Sequence, residues 1–373
     1  MRATSFILAL ALGLLTAGSA HAYKYSVCEA LGDSKKIKLP SNSKALRSSS
    51  TSFPVGIWLD GLNNAISQFN KNPSPFRFSR VTDSGGLGLG NGQSEVWGSD
   101  DEDILQDAPA IAYTYTECYW FFGINAQINE GDTIFDYGDP FRWTPTRTKS
   151  AIKSYIGSAG KRLLQGTAVH EFGHVTGLKH ENRFYNVMGS DTTHLDTSGS
   201  TVNAYVGEDT GSGLVRLYGL NNSGIQDLAV SHWRYLGVSG EYSSHTRTRI
   251  FTTGGTELSK STVDNEPRYN VTRGNTVSVE FTFENLGKST QNSAPIKYYI
   301  STNDIITTAD RLVRTSSASL VRNTPATDTR NVTIPADLTA ATNYWLGIII
   351  SMPAGVTDGN SANSTSYIRI RTN

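Results

Sequence analysis

The segment His170-Glu171-Phe172-Gly173-His174-Val175-Thr176-Gly177-Leu178-Lys179-His180 constrains this chain more than any other, because it fits HExxHxxGxxH. At roughly 100° per helical residue, His174 lies roughly 40° from His170, while Leu164, Ala168, Phe172 and Val175 gather on the opposite side. One face can hold a metal while the other packs into a core. Two imidazoles one turn apart suit tetrahedral zinc, and three protein ligands leave the fourth position for water. Gly177 permits a sharp break after the helix, so that His180 returns as third ligand. Glu171, beside the first ligand, is placed to accept a proton from a water acidified by the ion. HExxH alone also arises on surface helices; the added Gly177 and His180, in a chain with only 7 His, favour the metal reading.

The context of this segment is an exported chain. Arg2, the apolar run Phe6 to Leu15 and the small-x-small site Ala20-His21-Ala22 read as a signal peptide over residues 1–22. No later apolar run is long enough for a membrane span. The location expected is secreted: extracellular, or periplasmic if the source is bacterial. With 33 Lys+Arg against 33 Asp+Glu there is no basic field to recruit nucleic acid. Cys28 and Cys118, the only two cysteines, then sit where thiols oxidise and most often pair. The rival reading makes Cys28 a thiolate that caps a metal in a latent form.

Along the chain, residues 23–50 are polar and read as a lead-in or short pro-segment. Trp58, Leu62, Ala65, Ile66 and Phe69 recur at helical spacing up to Asn72-Pro73. Strand patterns follow around Phe76 to Val81 and Ala110 to Ile128. Gly85 to Gly92 lacks a phosphate-loop pattern, and Asp100-Asp101-Glu102-Asp103 lacks EF-hand spacing and reads as a solvated turn. Glu208-Asp209 reads as the acidic, capping start of a short helix ending near Tyr218. His194, His232 and His245 have no ligand spacing and read as structural or surface residues. Adjacent Ser231-His232 does not make a nucleophilic triad. From Arg268 the pattern becomes short alternating runs, such as Val277, Val279, Phe281 and Phe283, which describe an antiparallel sandwich of about seven strands.

With Asn186-Val187-Met188-Gly189 placed eight residues after His180, the sequence resembles the metzincin superfamily of zinc endopeptidases, whose signature includes a downstream Met-turn. The short gap is similar to the matrixin-type branch. His180-Glu181 is similar to astacins, but Ser190 stands where those enzymes carry a tyrosine. The resemblance runs weakly from Trp58 to Leu217-Tyr218-Gly219. It implies that His170, His174 and His180 bind one catalytic Zn2+, that Glu171 is general base and proton shuttle, and that Met188 floors the site. It further implies a substrate pocket wall within Gly189 to Asp209, where Tyr205 is the one aromatic. A matrixin-like cysteine switch is absent, and structural Ca2+ of the family has no assignable ligands here. Phe281-Thr282-Phe283-Glu284-Asn285-Leu286-Gly287 and Tyr298-Tyr299-Ile300-Ser301-Thr302-Asn303 resemble CARDB-type adhesion domains of exported proteins.

The expectation is therefore an α+β arrangement: a metzincin-like zinc-protease domain over residues 51–222, with a mixed twisted sheet and active-site helix. A connecting segment 223–263 and an all-β immunoglobulin-like sandwich over 264–373 follow. The expected function is hydrolysis of peptide bonds in protein or peptide substrates by a zinc-bound water that Glu171 activates. The alternative is a secreted zinc-containing adhesion protein without turnover, its sandwich holding a surface or matrix ligand or acting as a spacer.

Overall fold

The structure, a computed structural model, describes residues 23–83, 85–138, 143–189, 194–236 and 245–373. The signal-peptide reading of 1–22 and the reading of Ser190 lie outside the described residues. Among those described, no helix is long and apolar enough to cross a membrane. Strands dominate. The principal elements of the first half are β1 (Val27–Ala30), β2 (Asp33–Lys36), β3 (Ser43–Ser48), α1 (Ile57–Phe69), β4 (Arg77–Thr82), β5 (Glu95–Ser99), β6 (Ala110–Trp120), β7 (Ile124–Asp136), α2 (Leu164–Val175) and α3 (Glu208–Tyr218).

Five strands form one sheet in the order β4-β3-β5-β7-β6. All neighbours are parallel except β6, which pairs antiparallel with β7; among the described residues no strand pairs with its other edge. The helices α1 and α2 cover the sheet through a shared aromatic core. Phe69, Phe78 and Phe172 are buried, with the Phe172 ring 6.2 Å from Phe69 and 5.3 Å from Phe78. Burying such a ring contributes about 1.5–3 kcal/mol. Phe172 thus anchors the face of α2 that points away from the histidines.

Residues 23–50, read as a lead-in, instead belong to this domain. β3 is an inner strand between β4 and β5, and Lys24–Tyr25 pairs with Leu178–Lys179 just beyond α2. The expected start at residue 51 is corrected accordingly. Ser43–Ser48 buries Leu46 and Ser48 while Ser43 and Ala45 stay exposed, and its polar composition hid its place in the sheet. The β1–β2 hairpin lies against β7 and is joined to β6 by a Cys28–Cys118 disulfide, so neither thiol is free to cap a metal. Asp101 accepts from the Asp103 N–H at 3.0 Å and caps a one-turn helix, Glu102–Leu105.

The second half comprises β8 (Leu228–Ser231), β9 (Ile250–Thr252), β10 (Lys260–Val263), β11 (Glu266–Val271), β12 (Thr276–Asn285), β13 (Gln291–Ser301), β14 (Arg311–Leu320), β15 (Ala326–Thr333), β16 (Asn343–Ile350) and β17 (Thr365–Thr372). In one sheet β12 pairs with β15 along one edge and with β8 and β9 along the other. The facing sheet runs β10-β11-β17-β16-β13-β14. Val277, Val279, Phe281 and Phe283 meet Ile296, Tyr298, Leu346 and Ile348 in the core between them. Two expectations change. Residues 223–263 are not a mere connector, since β8, β9 and β10 complete the sheets, and the sandwich is not wholly antiparallel, since β11 and β17 pair parallel.

Candidate metal centre

The sequence pattern along α2 places His170 and His174 on one face, and the chain turns back at Gly177 with φ 102°. A side chain there would also strike the Ile37 carbonyl, so glycine is required twice over. The turn brings His180 back to the helix. His170 Nε2 lies 3.1 Å from His174 Nε2 and 3.1 Å from His180 Nε2. Among the described residues, these three form the one group of three or more His, Cys, Asp or Glu with ligand atoms all within 4.8 Å of one another.

The other ring nitrogens fix the orientation. His170 Nδ1 donates to the Val187 carbonyl at 2.6 Å, and His174 Nδ1 donates to the Leu178 carbonyl at 2.9 Å. Both rings therefore present an Nε2 lone pair inward, the arrangement metal-ligating histidines use. Zn–N bonds of about 2.0–2.1 Å in a tetrahedron put the nitrogens about 3.3 Å apart. The observed triangle fits that donor set. Burial, and then repulsion from its neighbours, holds His170 well below the ordinary imidazole value; burial and His180 bring His174 down to about 4. Neutral imidazoles, the ligating form, result.

Beneath the triangle, Asn186 Oδ1 accepts from the Met188 N–H at 2.6 Å, and the Glu181 N–H donates to the Met188 carbonyl at 3.0 Å. Met188 is buried against Gly173, where an added Cβ would overlap its sulfur. Glu171 is 5 % exposed, and burial lifts its carboxyl to about 8. A cation at the triangle would favour its ionised form instead. Glu171 lines two depressions, one on either side. A cavity of about 100 Å³ is bounded by Leu163, His170, Val187, His194 and Leu195. A trench of about 370 Å³ is bounded by Ala110, Ala112 and Thr114 of β6 together with His174 and His180.

The cavity wall depends on the sandwich. The His194 ring lies between Tyr185 and Tyr205, each centroid 4.3 Å away. Tyr205 donates to Glu284 Oε2 at 2.7 Å, and the Glu208 N–H donates to Glu284 Oε1 at 2.8 Å. Glu208 in turn accepts from the Asn285 and Thr324 N–H groups at 2.6 and 3.1 Å. The capping role read for Glu208-Asp209 is thus corrected: neither side chain caps α3, and Glu208 ties the helix start to the sandwich backbone. Lys149 makes a second tie, to Glu266 at 3.2 Å and Asp304 at 3.3 Å. His232 and His245 are buried elsewhere; His232 lies 3.2 Å from Ser366 Oγ, and His245 donates to the Arg234 carbonyl at 2.9 Å. Ser231 donates to Tyr185 at 3.1 Å and forms no dyad with His232. Leu163 and Leu195 carried no motif in the sequence, and Glu284 stood there only within the CARDB-like segment, with no signal of its ties to Tyr205 and Glu208.

No family model matches the chain, and no curated protein matches it. Solved structures similar to it include a CARDB domain from Pyrococcus furiosus, described in complex with di-metal ions. That likeness has 15% identity and a TM-score of 0.25, and covers 40% of this chain and 90% of the other. A domain described as part of a cell surface protein from Methanosarcina acetivorans has 22% identity and a TM-score of 0.21 over 27% of this chain and 78% of that one. An AA10 lytic polysaccharide monooxygenase from Streptomyces lividans has 14% identity and a TM-score of 0.19 over 32% of this chain and 62% of that one.

Proposed function

We propose that this chain is a secreted zinc-dependent endopeptidase of the metzincin, matrixin-like type. The observation that carries the reading is the triangle of His170, His174 and His180 Nε2 atoms, oriented by backbone carbonyls and flanked by buried Glu171. Zinc held by the three imidazoles supplies Lewis acidity to a peptide carbonyl and to water. The free edge of β6 offers backbone groups to an extended peptide lying in the trench, which aligns the scissile bond. Glu171 takes the proton of the attacking water as its oxygen bonds to the carbonyl carbon. It then passes that proton to the amine nitrogen as the C–N bond breaks. Leu163, Val187 and Leu195 give the neighbouring cavity an apolar lining for a substrate side chain.

A second reading is a surface-binding protein that holds zinc without turnover. The observation favouring it is the size of the sandwich, which among the described residues has ten strands and gives no ligand to the triangle. The CARDB domain likeness accords with such a holding role, its partner being a surface or matrix ligand. One experiment separates the readings: digestion of a diverse peptide mixture by the zinc-loaded protein, with Glu171→Ala as control and product ends read by mass spectrometry. New ends that vanish in the variant support the endopeptidase. No cleavage by a protein shown to carry one zinc supports the surface-binding reading.

A further inference from the structure

The tip of the β6–β7 hairpin is Tyr119-Trp120-Phe121-Phe122-Gly123. Its four aromatic side chains are 50, 50, 67 and 89 % exposed. The β1–β2 hairpin ends beside it in Leu31, which is 81 % exposed. Single exposed apolar residues are ordinary on protein surfaces, but five large ones on two adjoining turns are not. The two tips point the same way: Lys35 Nζ reaches the Ile124 carbonyl at 3.2 Å, and the Ile128 N–H donates to the Lys38 carbonyl at 2.9 Å. Residues 35–38 therefore run alongside 124–128, and both turns lie beyond the same end.

Both tips hold a large side chain where the backbone disfavours one. Leu31 and Phe122 have φ 52° and 51°, in the left-handed region that Gly, Asn or Asp usually fill. Among the described residues, Phe122 has its neighbour Phe121 alone for a ring partner, 4.7 Å away. A strained backbone that presents apolar side chains to water implies a use for them outside the isolated chain.

We propose that these tips form a lipid-contacting surface that seats in the interfacial layer of a zwitterionic bilayer. Tyr119 and Trp120 are consecutive in a strand and so face opposite sides, yet both are half exposed. The tip is thus apolar all round at one depth, as immersion requires, whereas a protein groove receives one face. Phe121 and Phe122 stand 68° apart, which offers no flat platform for a sugar ring. Trp and Tyr, with an apolar body and a polar edge, suit the headgroup boundary. Behind Leu31, Lys35 and Lys36 are matched by Glu29 and Asp33, so this footprint has no net charge with which to select anionic lipid. The Cys28–Cys118 disulfide joins the two hairpins close to their tips, which limits the ordering cost of insertion.

The test is flotation of the full chain with phosphatidylcholine vesicles, with and without phosphatidylglycerol, together with tryptophan fluorescence. The intact protein floats with neutral vesicles, and about 0.5 M salt leaves that unchanged. Its emission shifts to shorter wavelength, and Trp120→Ala removes the shift. Phe121→Ser with Phe122→Ser weakens partitioning about a hundredfold, at about tenfold for each ring. Leu31→Asn weakens partitioning while raising the melting temperature, because Asn suits the turn, so lost binding cannot be put down to misfolding. The proposal is overturned if the intact protein stays with the lipid-free fraction. It is equally overturned if the double variant floats as well as the intact chain, or if flotation needs phosphatidylglycerol and disappears in salt.

Discussion

The histidine triangle and the seam between the two halves are both built from ionisable side chains, half-buried or exposed in the first and largely buried in the second, but they are assembled over different distances. His170, Glu171, His174, His180 and Met188 fall within one helix and the short stretch after it, and backbone carbonyls of that stretch orient His170 and His174. The seam joins Tyr205 and Glu208 to Glu284, and Lys149 to Glu266 and Asp304, between segments 76 to 155 residues apart in the sequence. A local site tolerates loosening of the rest of the molecule. A long-range one registers it. The contrast predicts that changes in the triangle alter metal and chemistry with little loss of fold, while changes in the seam alter stability and the cavity wall with the metal still held.

The largest effect expected is that of His180→Ala. It removes one of three ligands, so zinc content measured by atomic absorption falls from one per chain towards zero, while far-ultraviolet circular dichroism is preserved. Retained zinc would show that the triangle does not bind as a unit. Next in size, Glu284→Ala leaves the Tyr205 hydroxyl and Glu208 N–H buried without their acceptor. The expected loss is about 2–4 kcal/mol in urea unfolding, with zinc content unchanged. Gly173→Ala drives a methyl into the Met188 sulfur and costs about 1–3 kcal/mol, again by urea unfolding. An unchanged midpoint would mean that Met188 moves aside freely.

The smallest effect is a slope. Burial raises the Glu284 carboxyl to about 7, above its ordinary 4.5, so the folded state binds more protons than the unfolded one. Its contribution is complete below about pH 4.5 and is lost as pH rises towards 7. His194 acts in the opposite sense. Burial lowers it to about 3, so its contribution is present above the ordinary imidazole value of about 6.5 and is lost as pH falls. Glu284→Gln removes the first slope and leaves the second. Identical stability profiles from pH 5 to 7 for the two proteins would break the assignment.

The same contrast explains what could be read beforehand. The triangle was legible because one helix turn and the break at Gly177 bring its residues together within eleven positions, and the cysteine pairing because there were only two to pair. The β12 alternation of Val277, Val279, Phe281 and Phe283 marked its core face correctly. Glu284 sits on the opposite side of that strand, where alternation alone gives no sign of burial. The first half of the molecule covers that side, and no local pattern records the cover. β3 escaped notice for a related reason: Ser-Lys-Ala-Leu-Arg-Ser is polar, and its place inside the sheet depends on partners, β4 and β5, far along the chain.

Because Glu284 lies 96 residues after Met188 in the order of synthesis, the two regions mature at different times. A growing chain holds every member of the triangle before the residue that braces Tyr205 and the start of α3 exists. A chain cut short before β12 would therefore keep its three imidazoles but not the brace behind their neighbouring wall.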